Sequence, residues 1–151
     1  MKRIFRVFIS CFLIAAFTAC PVLCAGAEPG AEPVPVDLDL SVMSGTVVYA
    51  QVYNLLCDPT TWLGKTIRMA GFYSAFQDQS TGMVYHACVI PDATACCAQG
   101  IEFVWSGEHA WPEDYPEDAA DITVTGRLEI YEENGIKYLH LVDAEVVWDQ
   151  A

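Results

Sequence analysis

The stretch 122–148, ITVTGRLEIYEENGIKYLHLVDAEVVW, decides the fold class. Ile122, Val124, Leu128 and Ile130 alternate with Thr123, Thr125, Arg127 and Glu129, the period of a strand with one buried face. Asn134-Gly135, set between Tyr131 and Ile136, predicts a type I′ hairpin turn, because both central positions of that turn take positive φ. The return strand runs from Lys137 to Trp148, with Asp143 as an irregularity, and Gly126 marks a bend in the strand before it.

Upstream, Met83 to Ile90 and Ile101 to Trp105 read as two strands around a loop holding Pro91, Asp92 and Gly100. Gly64 to Phe76 is another strand. In it Ile67 and Met69 alternate with Thr66 and Arg68, and Ala70-Gly71 then shifts the large residues to Phe72 and Phe76, which marks a bulge or bend. Tyr49, Val52, Tyr53 and Leu56 fall at i, i+3, i+4 and i+7 and predict one helix face within 44–57, stopped by Asp58-Pro59. Five strands too short for two good sheets close most economically as a small barrel.

The remainder of the chain sets compartment and charge. Lys2, Arg3 and Arg6 precede an apolar run from Val7 to Ala19, the layout of an export signal. Two processing routes are open: cleavage after Ala27 behind Ala25-Gly26-Ala27, or lipidation at Cys20 within Phe17-Thr18-Ala19-Cys20. The expected organisation is a signal peptide at 1–27, a Pro-rich spacer at 28–43 containing Pro29, Pro33 and Pro35, and one folded domain at 44–151. Beyond Ala27 stand four Lys and Arg against twenty Asp and Glu, a balance that repels phosphate backbones and argues against nucleic acid as a partner. At 54% hydrophobic and 12% aromatic, the chain is too apolar for a disordered acidic protein.

Gly64-Lys65-Thr66 leading into Ala70-Gly71-Phe72, the vicinal Cys96-Cys97 between the second and third strands, and Val124-Thr125-Gly126 resemble exported OB-fold-like domains of uncharacterised bacterial proteins. The pattern, over about residues 62–148, is similar to the C-terminal β-barrel domain of a permease-associated family of unknown function, which also carries paired cysteines after its second strand. The resemblance implies a mainly β fold, a five-stranded OB-fold-like barrel with one N-terminal helix, and it implies no activity.

Chemistry concentrates at the cysteines. Cleavage after Ala27 leaves Cys57, Cys88, Cys96 and Cys97. In an oxidising compartment these are disulfide candidates, with Cys57 bridging one of the adjacent pair and Cys88 the other. The same thiols with His86 form a candidate soft-metal site for zinc or copper. His86 and Cys88, two apart on a strand, project from one face about 7 Å apart at Cα and could meet Cys96 and Cys97 from the following loop. A thiol-redox pair at Cys96-Cys97 is a third reading, although its neighbours supply no positive charge. The loop 108–121, EHAWPEDYPEDAAD, holds six carboxylates; His109, Trp111, Asp114 and Tyr115 make it a candidate for a ligand or a basic partner.

No Gly-x-Ser-x-Gly, His-Glu-x-x-His or phosphate-cradling loop occurs. The expected function is therefore an exported, non-catalytic binding or sensing module at the cell envelope, with a metal, a glycan or an envelope protein as partner. Its membrane contact would come through a lipid at Cys20. The alternatives are a disulfide-stapled adaptor for a protein or glycan, and a thiol-redox protein.

Overall fold

Alternating apolar side chains turn the second half of the chain into long strands, and the computed structural model describes residues 35–94 and 96–149, all within the unit Val34–Ala151. The export signal at 1–27, Cys20 and the first part of the spacer lie outside the described residues. The elements are β1 (Leu38–Asp39), α1 (Gly45–Cys57), β2 (Thr66–Gln77), β3 (Val84–Pro91), β4 (Ala98–Trp105), β5 (Asp121–Glu133) and β6 (Ile136–Val147). The protein is mainly β, with six strands in one sheet and one helix.

The sheet runs β1-β2-β3-β4-β6-β5, and β5 pairs again with β2, so the ladder of the five long strands returns on itself. Strand β2 makes this possible by changing partners along its length. Thr66 to Phe72 pair antiparallel with β5, and Phe72 to Gln77 pair antiparallel with β3. At the change of partner sits Gly71, where a Cβ would stand 2.4 Å from the Val89 carbonyl oxygen, so no side chain fits at this crossing. Strand β4 lies parallel to β6, and β5 and β6 form the expected hairpin with a register shift between Thr125 and Arg127. At the turn φ is +53° for Asn134 and +79° for Gly135, the backbone that the Asn-Gly pair anticipates. Asp143 also has positive φ, at +51°, and is the irregularity expected in β6.

Two expectations need correction. The domain begins before Ser44: Leu38 and Asp39 pair parallel with Ile67 and Arg68, the Leu40 amide donates to the Arg68 carbonyl at 2.7 Å, and the Leu40 side chain is fully buried. The prolines of 28–43 obscured a short alternation, Val36, Leu38 and Leu40 against Asp37 and Asp39, that makes the sixth strand. The helix also buries a different face. Val48, Val52 and Leu55 enter the core, Tyr49 packs at its border, and Tyr53 and Leu56 face outward. Helix α1 packs on β3 and β4, and Val48, Val52 and Leu55 are the residues it buries there.

Candidate functional site

Strand period places His86, Cys88 and Ile90 on one face of β3, and that face points inward. Cys88 is fully buried, and burial pushes its thiol up to about 12, so it stays protonated among apolar neighbours. The His86 ring stacks on Tyr115 with centroids 4.0 Å apart, and its Nδ1 shares a hydrogen bond of 2.7 Å with the Tyr73 hydroxyl. Burial lowers the His86 pKa from its ordinary value.

Cys96 and Cys97 sit apart from these, exposed in the β3–β4 loop with their sulfurs 3.7 Å from each other. Among the described residues, the group of three or more metal-ligating side chains that gathers within 4.8 Å is Asp92, Cys96 and Cys97. The expected set of His86, Cys88, Cys96 and Cys97 is therefore not assembled. The alternation that put the first two on one face turned Cys88 into the core and left His86 half-buried against Tyr115, while the vicinal pair stayed in solvent. All four described cysteines, Cys57 included, are free thiols, so the expected bridges between Cys57, Cys88, Cys96 and Cys97 are absent from the structure.

The loop after β4 folds onto itself and onto the sheet. His109 lies flat on Trp105, ring centroids 3.5 Å apart, and its Nε2 pairs with the Ser106 carbonyl at 2.9 Å. Asp114 accepts the Ala110 amide at 2.7 Å, and Tyr115 meets Trp105 edge-on while stacking on His86. Trp111 remains 40% exposed. His109 and Tyr115 thus hold the loop against the sheet, and Asp114 closes the loop on itself.

A different concavity, missed in the sequence, opens on the outward face of β2, β3 and β4, walled by the β5–β6 hairpin. It encloses about 470 Å³, within the range of small-ligand sites. Ser74, Ala87 and Val89 form a low floor; Phe76, Tyr85, Tyr131 and Tyr138 rise around it. Phe76 and Tyr85 stack at 6.4 Å, and Tyr131 and Tyr138, cross-strand partners, stack at 5.3 Å. The Tyr85 hydroxyl donates to both oxygens of Glu133 at 2.8 and 2.9 Å, and the Tyr131 hydroxyl donates to Glu102 at 2.5 Å. The Glu133 hydrogen bond, with desolvation adding to it, pushes the Tyr85 hydroxyl up to about 12. Burial and then the Glu102 hydrogen bond raise Tyr131.

Asp78 and Asn134 border the cleft from the two hairpin turns, and no Lys or Arg is among the described residues that line it. The rings and carboxylates come from β2 to β6 and from the β2–β3 turn, far apart in the chain, which is why no local motif announced them. The one local trace is the Tyr131 and Tyr138 pair flanking Asn134-Gly135. Compared with known protein families and with curated proteins, the chain finds no match.

Proposed function

We propose that the protein is an exported, non-catalytic binding module built on an OB-fold-like barrel, and that its outer cleft takes a cationic organic group. The barrel reading is supported by the circuit β2–β3–β4–β6–β5–β2, which leaves the five long strands without a free edge. OB-folds bind ligands on the face of their second and third strands and with the loops joining strands one to two and four to five. In this chain those correspond to β3, β4 and the turns that carry Asp78 and Asn134, all of which border the cleft. Export is supported by the basic and apolar leader at 1–27.

The ligand class rests on one observation: the lining combines the rings of Phe76, Tyr85, Tyr131 and Tyr138 with Asp78, Glu102 and Glu133, and includes no cation among the described residues. Aromatic quadrupoles and carboxylates attract the same partner, an ammonium or guanidinium group, by roughly 0.5 to 2 kcal/mol for each ring contact. A binding role, not a catalytic one, is supported by the engagement of both glutamates as acceptors for tyrosine hydroxyls that remain protonated at neutral pH.

Choline and its neutral carbon analogue, 3,3-dimethylbutan-1-ol, test the reading by amide chemical-shift titration. Choline should shift the resonances of Phe76, Tyr85, Tyr131 and Tyr138, and the double variant Glu102→Gln, Glu133→Gln should bind it about tenfold more weakly, a loss of about 1.4 kcal/mol. Equal binding of the neutral analogue, or shifts elsewhere only, would refute the assignment.

A further inference from the structure

We infer that the β3–β4 loop is a zinc site, with the two sulfurs of Cys96 and Cys97 and one carboxylate oxygen of Asp92 as ligands and a solvent molecule as the fourth. The inference is independent of the outer cleft and of its ligand. It replaces the ligand set expected from the sequence with one that the loop itself holds together.

The sulfur-to-sulfur distance separates tetrahedral from linear coordination. Zinc binds sulfur at about 2.3 Å with tetrahedral angles, which places two ligating sulfurs about 3.8 Å apart and a sulfur and a carboxylate oxygen about 3.5 Å apart. Cys96 and Cys97 Sγ are 3.7 Å apart, and Cys96 Sγ lies 3.3 Å from Asp92 Oδ2. A linear two-coordinate ion with the same bond length would need its sulfurs about 4.6 Å apart. The bite therefore fits tetrahedral zinc and is too narrow for linear copper(I).

Hydrogen bonds bring Asp92, Cys96 and Cys97 together without an ion. Asp92 Oδ1 accepts the amides of Thr94 at 3.1 Å and Cys96 at 2.9 Å, and the Asp92 amide donates to the Cys97 carbonyl at 2.8 Å. The two amide bonds fall on Oδ1, while Oδ2 accepts the Thr94 hydroxyl and faces Cys96 Sγ. Thr94 Oγ1 sits 3.1 Å from both the carboxylate and Cys96 Sγ, in the place of an outer-shell partner that orients a ligand. Both cysteines are exposed, so an ion has access and a fourth position stays open to solvent.

The test uses the reduced, folded protein with cobalt(II) as a spectroscopic probe, followed by zinc. One equivalent of cobalt should produce a thiolate-to-cobalt charge-transfer band and intense tetrahedral ligand-field bands, and zinc should abolish them. Cys96→Ser and Cys97→Ser should each remove the charge-transfer intensity assigned to their sulfur and weaken zinc binding at least about tenfold, and Asp92→Asn should weaken it about tenfold. Cys57→Ser should leave both readings unchanged, and circular dichroism should show every variant folded. Absence of a charge-transfer band in the reduced protein would overturn the inference. So would a band that survives the loss of both Cys96 and Cys97, or one that disappears with Cys57.

Discussion

Leu40 marks where the fold starts. Its amide is bonded to Arg68 and its side chain has no exposed surface, although three prolines precede it within a dozen residues. Replacing it with alanine should lower the unfolding free energy by about 2 to 5 kcal/mol, the cost of deleting a buried leucine side chain. A spacer residue would change it by less than about 0.5 kcal/mol. Urea unfolding of Leu40→Ala separates these outcomes. Single residues whose backbone has few options were legible from the sequence: Asn134 and Gly135 in the turn, Asp143 in β6 and Gly71 in β2 each stand where local chemistry put an irregularity. Leu40 was not legible, because its burial depends on β2, which follows it by more than two dozen residues.

At the scale of elements, the loop between β4 and β5 depends on one histidine. His86 stacks on Tyr115, hydrogen-bonds the Tyr73 hydroxyl and has Phe103 beside it, and burial holds its pKa below the ordinary 6.5. Burial does the same to His140, with Glu102 pulling the other way. Burial favours the neutral form of both rings in the folded protein, so the unfolded chain takes up protons first as the pH falls. Stability should therefore be full above about pH 6.5 and decline below it, levelling off once the lowered folded-state values are passed. Calorimetry from about pH 7.5 to about pH 5 should show this decline, and His86→Gln should reduce it. An unchanged decline in that variant would place the effect elsewhere. The helix and the five long strands were readable from hydrophobic period, within two or three residues for most boundaries, and β1 was not. The face that α1 buries was not. Tyr49, Val52, Tyr53 and Leu56 are as consistent with the helical period as Val48, Val52 and Leu55, and only the shape of the sheet beneath them chooses between the two.

Across the whole molecule, charge dominates. Four basic residues face twenty acidic ones beyond Ala27, and the four ion pairs of the described residues use Lys65, Arg68 and Arg127, all at least a third exposed. Exposed pairs contribute little, so repulsion among the carboxylates outweighs them. Raising salt from about 10 mM to about 150 mM shortens the screening length from about 30 Å to about 8 Å. The melting temperature should rise by a few degrees while affinity for choline falls, because the same field that strains the fold draws the cation. Salt that lowers the melting temperature, or leaves choline binding unchanged, would contradict that account.

Composition and period by themselves determined a mainly β domain with one helix, its hairpin, its bends and its acidic surface. Each follows from local preference or from a count, and none needs distant partners. Which thiols meet, which carboxylates face which rings, and where the domain begins were decided only in three dimensions. Cys88 and Cys96 are eight residues apart, yet one lies in the core and the other in solvent. Tyr85 and Glu133 are 48 apart and share a hydrogen bond. Strand period specifies a face but not what that face meets, and closure of β5 onto β2 is what supplies the answer.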